Sequence, residues 1–363
     1  MTAQAPDWPA HGGRIAPLLA RCGLPADHPV IDFSANLNPL GPPAWLPDRL
    51  AAAGEALSRY PDPDDDHARR AIADHEGVAP ERVLVTNGGA EAIYLAAALH
   101  AGGRALVVEP GFGEYARACR HYGLDVVSLP LRGEAFRLDL EAALHALDGV
   151  DVAFLCRPHN PTGTLIPRAD VELLLARAHA TGTTLVVDEA FIDFTEGDER
   201  LTPWLDGTPH LLLLRSMTKL YDLPGLRLGY LLGAPDRVRR LAALQMPWSV
   251  NALALSLVAP LLADRDYLAR TRAWLAAERA AVPAAVRDLG FAVPPTQANF
   301  FLLRGGPDAE TSESLFAFLL HRGLLARHTH GFAGLDGAWL RLALRGAADN
   351  ARLIEALAEW RRA

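Results

Sequence analysis

The stretch HLLLLRSMTKLYDLPGLRLGYLLG, residues 210–233, sets two runs of large apolar residues, HLLLLRS and RLGYLLG, on either side of a segment carrying hydroxyls, arginines and one lysine. Neither run alternates apolar with polar residues. Each therefore reads as a strand covered on both faces rather than one with a wet side. The same kind of run recurs as RVLVT (82–86), RALVVE (104–109), DVVSL (125–129), VAFLC (152–156) and TLVVDE (184–189), with helical stretches between. Short buried strands alternating with helices predict an α/β domain with a mostly parallel sheet.

Working outward, a long helical segment is expected from Pro247 to about Gly290, followed by strands NFFLLR (299–304) and AWLRLAL (338–344) and helices near 311–322 and 348–361. That mixture suggests a smaller α+β domain. Residues 1–45, rich in Pro, Gly and Asn, read as an arm that gains order by docking on the body. The expected organisation is thus an arm at 1–45, a large domain at 46–247, and a helix linker with a small domain at 248–363.

Composition excludes several classes of function. The chain has 363 residues, half of them apolar, and a net charge of −8, which argues against a polyanion binder and makes nucleic acid an unexpected partner. The opening MTAQAPDWPAHGG shows no basic and apolar leader pattern, and the longest uncharged apolar run, ALALSLVAPLLA (252–263), is too short to span a bilayer. That run is expected to be a buried helix of a cytoplasmic protein. Cys22, Cys119 and Cys156 lie far apart, which gives no disulfide framework and no zinc spacing.

Lys219 is the only lysine, against 34 arginines. A guanidinium stays protonated, whereas a desolvated primary amine loses its proton and attacks a carbonyl to form an imine. The residues that follow other strands complete a pattern around it, since ligands of open α/β sheets collect beyond the strands' carboxyl ends. Asp188 ends one strand and needs a cationic partner or a protonated ring nitrogen. Gly88 and Gly89 open a helix after RVLVT and present free N–H groups to a phosphate. Ser216 and Thr218 add hydroxyls, Arg227 a forked donor, and Asn160, in RPHNPTG, an amide. A phosphate cradle, a carboxylate, an amide and an imine-forming lysine are the parts of a pyridoxal phosphate site.

The ordered segments NGGAEAI, NPTG, DEAFIDF, RSMTK and GLRLGY resemble the fold-type-I pyridoxal phosphate enzymes, in the branch that holds histidinol-phosphate aminotransferases and the threonine-phosphate decarboxylases of cobalamin biosynthesis. HGGRI (11–15), DFSANLNPLG (32–41), YPDP (60–63), MPWSVNALA (246–254) and GLDGAWLRLALR (334–345) are most similar to the decarboxylases. The resemblance implies a lyase that decarboxylates L-threonine O-3-phosphate to (R)-1-amino-2-propanol O-2-phosphate, with transamination as the alternative. Lys219 would carry the cofactor and Asp188 face its ring nitrogen. Asn160 would sit near the ring oxygen and Phe112 stack on the ring. Gly89, Ala90, Ser216, Thr218 and Arg227 would hold the phosphate. Tyr60 would reach the phosphate of a neighbouring subunit, implying a homodimer. Arg341 would bind the substrate carboxylate and Arg327 its phosphate, with His11, Gly12, Asn36 and Asn160 completing the pocket.

Two departures from the aminotransferase pattern stand out: Phe191 lies where a ring-oxygen tyrosine is usual, and in RPHNPTG Arg157 and His159 replace asparagines. Other motifs carry weaker readings. GFGEYA (111–116) formally matches a dinucleotide fingerprint, but Phe112 stands where a backbone would have to approach pyrophosphate. DPDDDH (62–67) reads as a turn and acidic helix start rather than a metal site. His328 and His330 could point one way but lack a third ligand, and Arg345 reads as a solvated arginine.

Overall fold

The computed structural model describes residues 8–362, so residues 1–7 of the expected arm lie outside the described part. All seven apolar runs are strands of one sheet. Across it lie Val83–Thr86, Gly229–Gly233, Leu211–Ser216, Thr184–Asp188, Val152–Cys156, Arg104–Glu109 and Asp125–Pro130. Gly229–Gly233 is antiparallel to both its neighbours, and the other pairings are parallel. The chain has the fold-type-I architecture: a mostly parallel mixed sheet flanked by helices, with a smaller α+β region after it.

The sheet is buried on both faces, as the unbroken apolar runs require. Val186, Leu212 and Leu231 pack with helices Gly88–Ala98 and Glu114–His121, while their chain neighbours Leu185, Val187, Leu211, Leu213 and Leu232 face the larger core with helix Arg168–Thr181. This split follows the two-residue period of a strand. Leu185, Val186 and Val187 are all fully buried, each contributing about 1.5–3 kcal/mol, so a charge at any of them would break the layer.

One helical segment expected after Pro247 is two helices, Ala252–Ala263 and Arg265–Asp288. The break is at Asp264, whose carboxylate accepts from Tyr267 N at 2.9 Å and so caps the second helix. The 252–263 run buries only one side, through Ala254, Leu257, Val258 and Leu261. Beyond the helices, Phe300–Leu303, Leu340–Ala343 and Arg327–His328 form an antiparallel sheet backed by helices Ala309–His321 and Ala347–Arg362.

The arm docks on that small sheet. Ile31–Asp32 pairs in parallel with Leu324–Leu325, Phe33 N donates to Leu325 O at 2.9 Å, and Ala343 N donates to Phe33 O at 2.8 Å. Residues 31–36 are thereby laid beside Arg341. The acidic run is a turn that starts a helix, as expected: Asp62 accepts from Asp64 N and Asp66 N, and the helix runs Asp66–Glu76. Among the described residues no helix is long and apolar enough to cross a membrane.

Candidate active site

The parallel strands deliver Cys156, Asp188 and Ser216 to one edge of the sheet. Directly after Ser216 the chain turns into the short helix Met217–Leu220, which sets Lys219 above that edge. Ser216 Oγ and Thr218 Oγ1 are 2.8 Å apart, and Lys219 Nζ donates to Thr218 Oγ1 at 3.2 Å. Burial, helped by the charges of Arg227 and Arg341 and opposed by Asp188, pulls the lysine down from its ordinary value to about 8. A neutral amine is therefore available near neutrality, as a nucleophile requires.

Two glycines build the anion cradle. Gly88 has φ +76°, and a Cβ on it would lie 2.5 Å from Arg227 Nη2. Gly229, placed in register with both Ser216 and Thr86, would bring a Cβ within 2.7 Å of Arg215 O and 3.0 Å of Gly89 N. The bare backbone thus lets the helix Gly88–Ala98 point its first N–H groups, including those of Gly89 and Ala90, at the space shared by Ser216 and Arg227. Arg227 donates to Pro224 O at 3.0 Å and has no ion pair among the described residues. The donor set suits a small phosphate.

Asp188 is buried, and a phenol unforeseen in the sequence holds it. Tyr115 Oη donates to Asp188 Oδ2 at 2.7 Å, and Ala190 N donates to Oδ1 at 2.9 Å. Burial pushes the carboxyl upward, while Tyr115, Ala190 N and Lys219 act to keep it ionised. Tyr115 stacks on Phe154 at 5.7 Å and meets Phe112 edge-on at 5.8 Å. Its spacing of three residues from Phe112 near a helix start is the one sequence signal that could have linked it to the site.

On the far side, Arg341 and Arg327 are direct partners across two strands. Arg341 donates to Asn160 Oδ1 at 2.5 Å and to Ser34 O at 2.8 Å, which leaves the Asn160 Nδ2 group as a donor. Arg327 donates to Pro9 O at 2.8 Å and Ala10 O at 2.6 Å. Both guanidinium groups are buried, and among the described residues neither meets a carboxylate. Burial pulls Arg341 down to about 9 and Arg327 to about 10. Arg341 Nε and Asn36 Oδ1 are buried with no hydrogen-bond partner among the described residues. The Phe332 ring lies 5.5 Å from the Arg327 guanidinium carbon and 6.0 Å from that of Arg341. Phe191 packs edge-on against Phe300, 5.0 Å away, and offers no hydroxyl to the site.

The arm closes this side. His11 Nε2 is 3.1 Å from Glu114 Oε1, Gly12 is pressed against Ser34, where a Cβ would sit 2.4 Å from its carbonyl oxygen, and Gly13 N donates to Ser34 Oγ at 2.8 Å. Tyr60, expected at a neighbouring subunit's phosphate, lies at the surface, 82% exposed, with its ring 4.8 Å from that of Trp248.

Several local readings are revised. Arg345 is not a solvated arginine; it is partly buried, bonded to Asp349 Oδ2 and Asp32 O, each at 3.0 Å, and it ties the arm to the last helix. Arg157 is fully buried, pairs with Glu199 and donates to Ile166 O at 2.8 Å, so it braces the turn that carries Asn160. His159 bonds Thr162 Oγ1 at 2.9 Å, and burial pulls it to about 4, a neutral ring. The GFGEYA helix begins at Glu114, whose carboxylate would repel a pyrophosphate. His328 and His330 stand 5.8 Å apart, and both contact the Trp8 ring.

The chain belongs to the family described as aminotransferase class I and II, whose model matches residues 28–358. It is 39% identical to a threonine-phosphate decarboxylase of Salmonella typhimurium, over 96% of this chain and 95% of that protein. A histidinol-phosphate aminotransferase of Symbiobacterium thermophilum is 35% identical over 91% of this chain and 90% of its own. Among solved structures, an L-threonine-O-3-phosphate decarboxylase from Porphyromonas gingivalis superposes with a TM-score of 0.80 at 30% identity, covering 91% of this chain and 99% of that one.

Proposed function

We propose that the chain is a pyridoxal-phosphate-dependent threonine-phosphate decarboxylase, converting L-threonine O-3-phosphate to (R)-1-amino-2-propanol O-2-phosphate and carbon dioxide for cobalamin biosynthesis. One observation carries the reading: Arg341 and Arg327 lie side by side, buried, with neutral carbonyls, an amide and the His328 ring as their hydrogen-bond partners and no carboxylate among the described residues. A substrate bearing a carboxylate and a phosphate a few bonds apart supplies both missing charges. Histidinol phosphate, which has no carboxylate, supplies one, and the glutamate that its transamination would also require supplies carboxylates but no phosphate. The 39% identical decarboxylase supports the same choice.

The donor set fits pyridoxal phosphate, with Gly89, Ala90, Ser216, Thr218 and Arg227 around its phosphate, Asp188 toward its ring nitrogen, Asn160 Nδ2 toward its ring oxygen and Phe112 along its ring. When bound, the cofactor supplies an aldehyde for covalent attachment of an amine and a ring that accepts the electron pair of a bond broken at the substrate Cα. Lys219, whose amine loses its proton around pH 8, would hold the cofactor and would carry the proton that replaces carbon dioxide at Cα. Asp188, oriented by Tyr115, holds a proton at the ring nitrogen. Arg341 positions the carboxylate and Arg327, with His11 and Gly12 over it, the phosphate; Asn36 Oδ1, buried and without a donor among the described residues, is the acceptor for the substrate amine.

The working unit of this proposal is a homodimer in which Tyr60 reaches the partner's cofactor phosphate. Tyr60, Leu57, Met246 and Trp248 form an exposed group of large side chains on the 8–362 surface, which a second copy would cover. The division into an arm, a large domain to 247 and a small domain beyond belongs to the same proposal. Carbon dioxide release from O-phosphothreonine tests the reaction directly. Efficient glutamate formation from histidinol phosphate and 2-oxoglutarate, with no carbon dioxide, would replace it with the aminotransferase reading.

A further inference from the structure

The arm that covers Arg327 is held by that same arginine. Its Nη1 and Nη2 both donate to arm carbonyls, of Pro9 and Ala10. A phosphate at Arg327 competes with these carbonyls, because Pro9 O, Ala10 O and His328 Nε2 already engage both terminal nitrogens, the same two that a phosphate is held by. If Arg327 were the main hold, phosphate would loosen the segment that carries His11 and Gly12 at the moment they are needed. A second hold that does not use those two hydrogen bonds would keep the segment in place.

Trp8 is that hold. Its ring stacks on His330 with centroids 4.7 Å apart and planes 19° apart, lies 4.3 Å from His328, meets Phe316 edge-on at 5.2 Å, and has the Arg21 guanidinium carbon 4.1 Å from its centroid. These contacts come from helix Ile15–Arg21, helix Ala309–His321 and the segment that follows Arg327. His328 is also the chain neighbour of Arg327, so one two-residue strand offers a guanidinium to the pocket and an imidazole to the indole. Burial pulls His328 down to about 3 and lowers His330, which leaves a neutral His328 ring able to pack beside two arginines.

We propose that Trp8 is a positioning residue for phosphate selectivity: docked among His328, His330 and Phe316, it keeps His11 and Gly12 over the pocket while Arg327 engages the substrate phosphate. The inference rests on the assignment of Arg327 to the substrate phosphate made above. It makes the arm a fixed wall of the pocket rather than a segment displaced by substrate.

The test uses the holoenzyme with Trp8→Ala and Trp8→Phe, measuring O-phosphothreonine and threonine turnover, inhibition by inorganic phosphate, and hydrogen exchange of residues 9–14 with and without phosphate. For Trp8→Ala the expected result is a rise of about tenfold or more in KM for O-phosphothreonine and in the inhibition constant of phosphate, with kcat changed less than about threefold. Exchange of residues 9–14 should rise on phosphate addition in this variant and stay low in the wild type. Trp8→Phe, which keeps an aromatic ring in the slot, should recover most of the affinity, and kcat/KM for threonine should not change. Unchanged KM, phosphate inhibition and exchange in Trp8→Ala would overturn the proposal, and so would equal losses on threonine and its phosphate. Failure of the decarboxylase reading would look different: the wild type would release no carbon dioxide, while hydrogen exchange of residues 9–14 with and without phosphate would still judge Trp8.

Discussion

Arg215 and Arg341 are both buried, yet the fold treats their charges in opposite ways. Arg215 lies 2.9 Å from Glu189 Oε2 and 3.5 Å from Glu76 Oε2, with Thr202 Oγ1 at 2.9 Å. Burial works against its charge, and Glu189 and Glu76 more than offset it, so Arg215 is held above its ordinary value. Arg341 has an amide and a backbone carbonyl instead, a like charge in Arg327 as its strand partner, and is pulled down to about 9. Arg157, closed by Glu199, belongs with Arg215, and Arg327 with Arg341. Residue type and burial are the same in both sets. What separates a structural arginine from a ligand-binding one is whether the protein provides the counter-charge.

That contrast breaks if the two sets respond alike to removal of the charge. The largest effect is expected for Arg215→Met, which strands Glu189 and Glu76 against each other and should cost about 3–5 kcal/mol in denaturant unfolding at neutral pH. Glu189 sits at about 7 because burial raises it and Arg215 only partly offsets this. Without Arg215 it rises further, so the loss should grow as pH rises above 7, where the wild-type carboxyl ionises and the variant's resists, and should shrink as pH falls toward 7. Arg341→Met should do the reverse: unfolding free energy unchanged or higher, and kcat/KM for O-phosphothreonine down by about 2–5 kcal/mol of transition-state binding. A fall in stability comparable to that of Arg215→Met would end the distinction.

The apolar runs that name the seven central strands are local, and so was their reading: each buried residue announces itself by type. The two-residue strands Ile31–Asp32 and Arg327–His328 are shorter than any periodicity and exist only because the arm and the small sheet meet. The site divides similarly. Lys219, Asp188, Asn160, Ser216 and Arg227 were legible because they follow strands. Tyr115 was not, since its partner Asp188 is 73 positions away and a phenol in an amphipathic helix looks like core. Ser34 contributes to Arg341 through a carbonyl oxygen, which every residue has. Arg345 misled for the same reason that Arg341 and Arg215 needed structure: composition shows an arginine, not its neighbours.

A smaller effect sharpens the view of the lysine. Lys219 folds with a value near 8 against an ordinary 10.5, so between those values the unfolded chain binds more protons than the folded one. Stability of the apo protein should therefore rise with pH from about 8 toward 10.5 relative to Lys219→Met, which has no such proton to lose. Parallel denaturation curves for the two proteins at pH 7, 8, 9 and 10 would check the sign, and a flat difference would refute the depressed value. Smallest of all, Arg345→Ala should cost only about 0–1 kcal/mol in thermal unfolding, because its ion pair with Asp349 is partly exposed and screened.

The solitary lysine gives the chain one further property. A protease that cuts only after lysine has a single target bond, Lys219–Leu220, and in the native protein that bond lies inside the helix Met217–Leu220 against the sheet edge. Unfolding exposes it and yields two fragments, residues 1–219 and 220–363, whereas a lysine amine blocked by reduction onto an aldehyde yields none. Under native conditions the cut fraction counts the molecules that have opened, and after full denaturation the uncut fraction counts those whose amine was occupied.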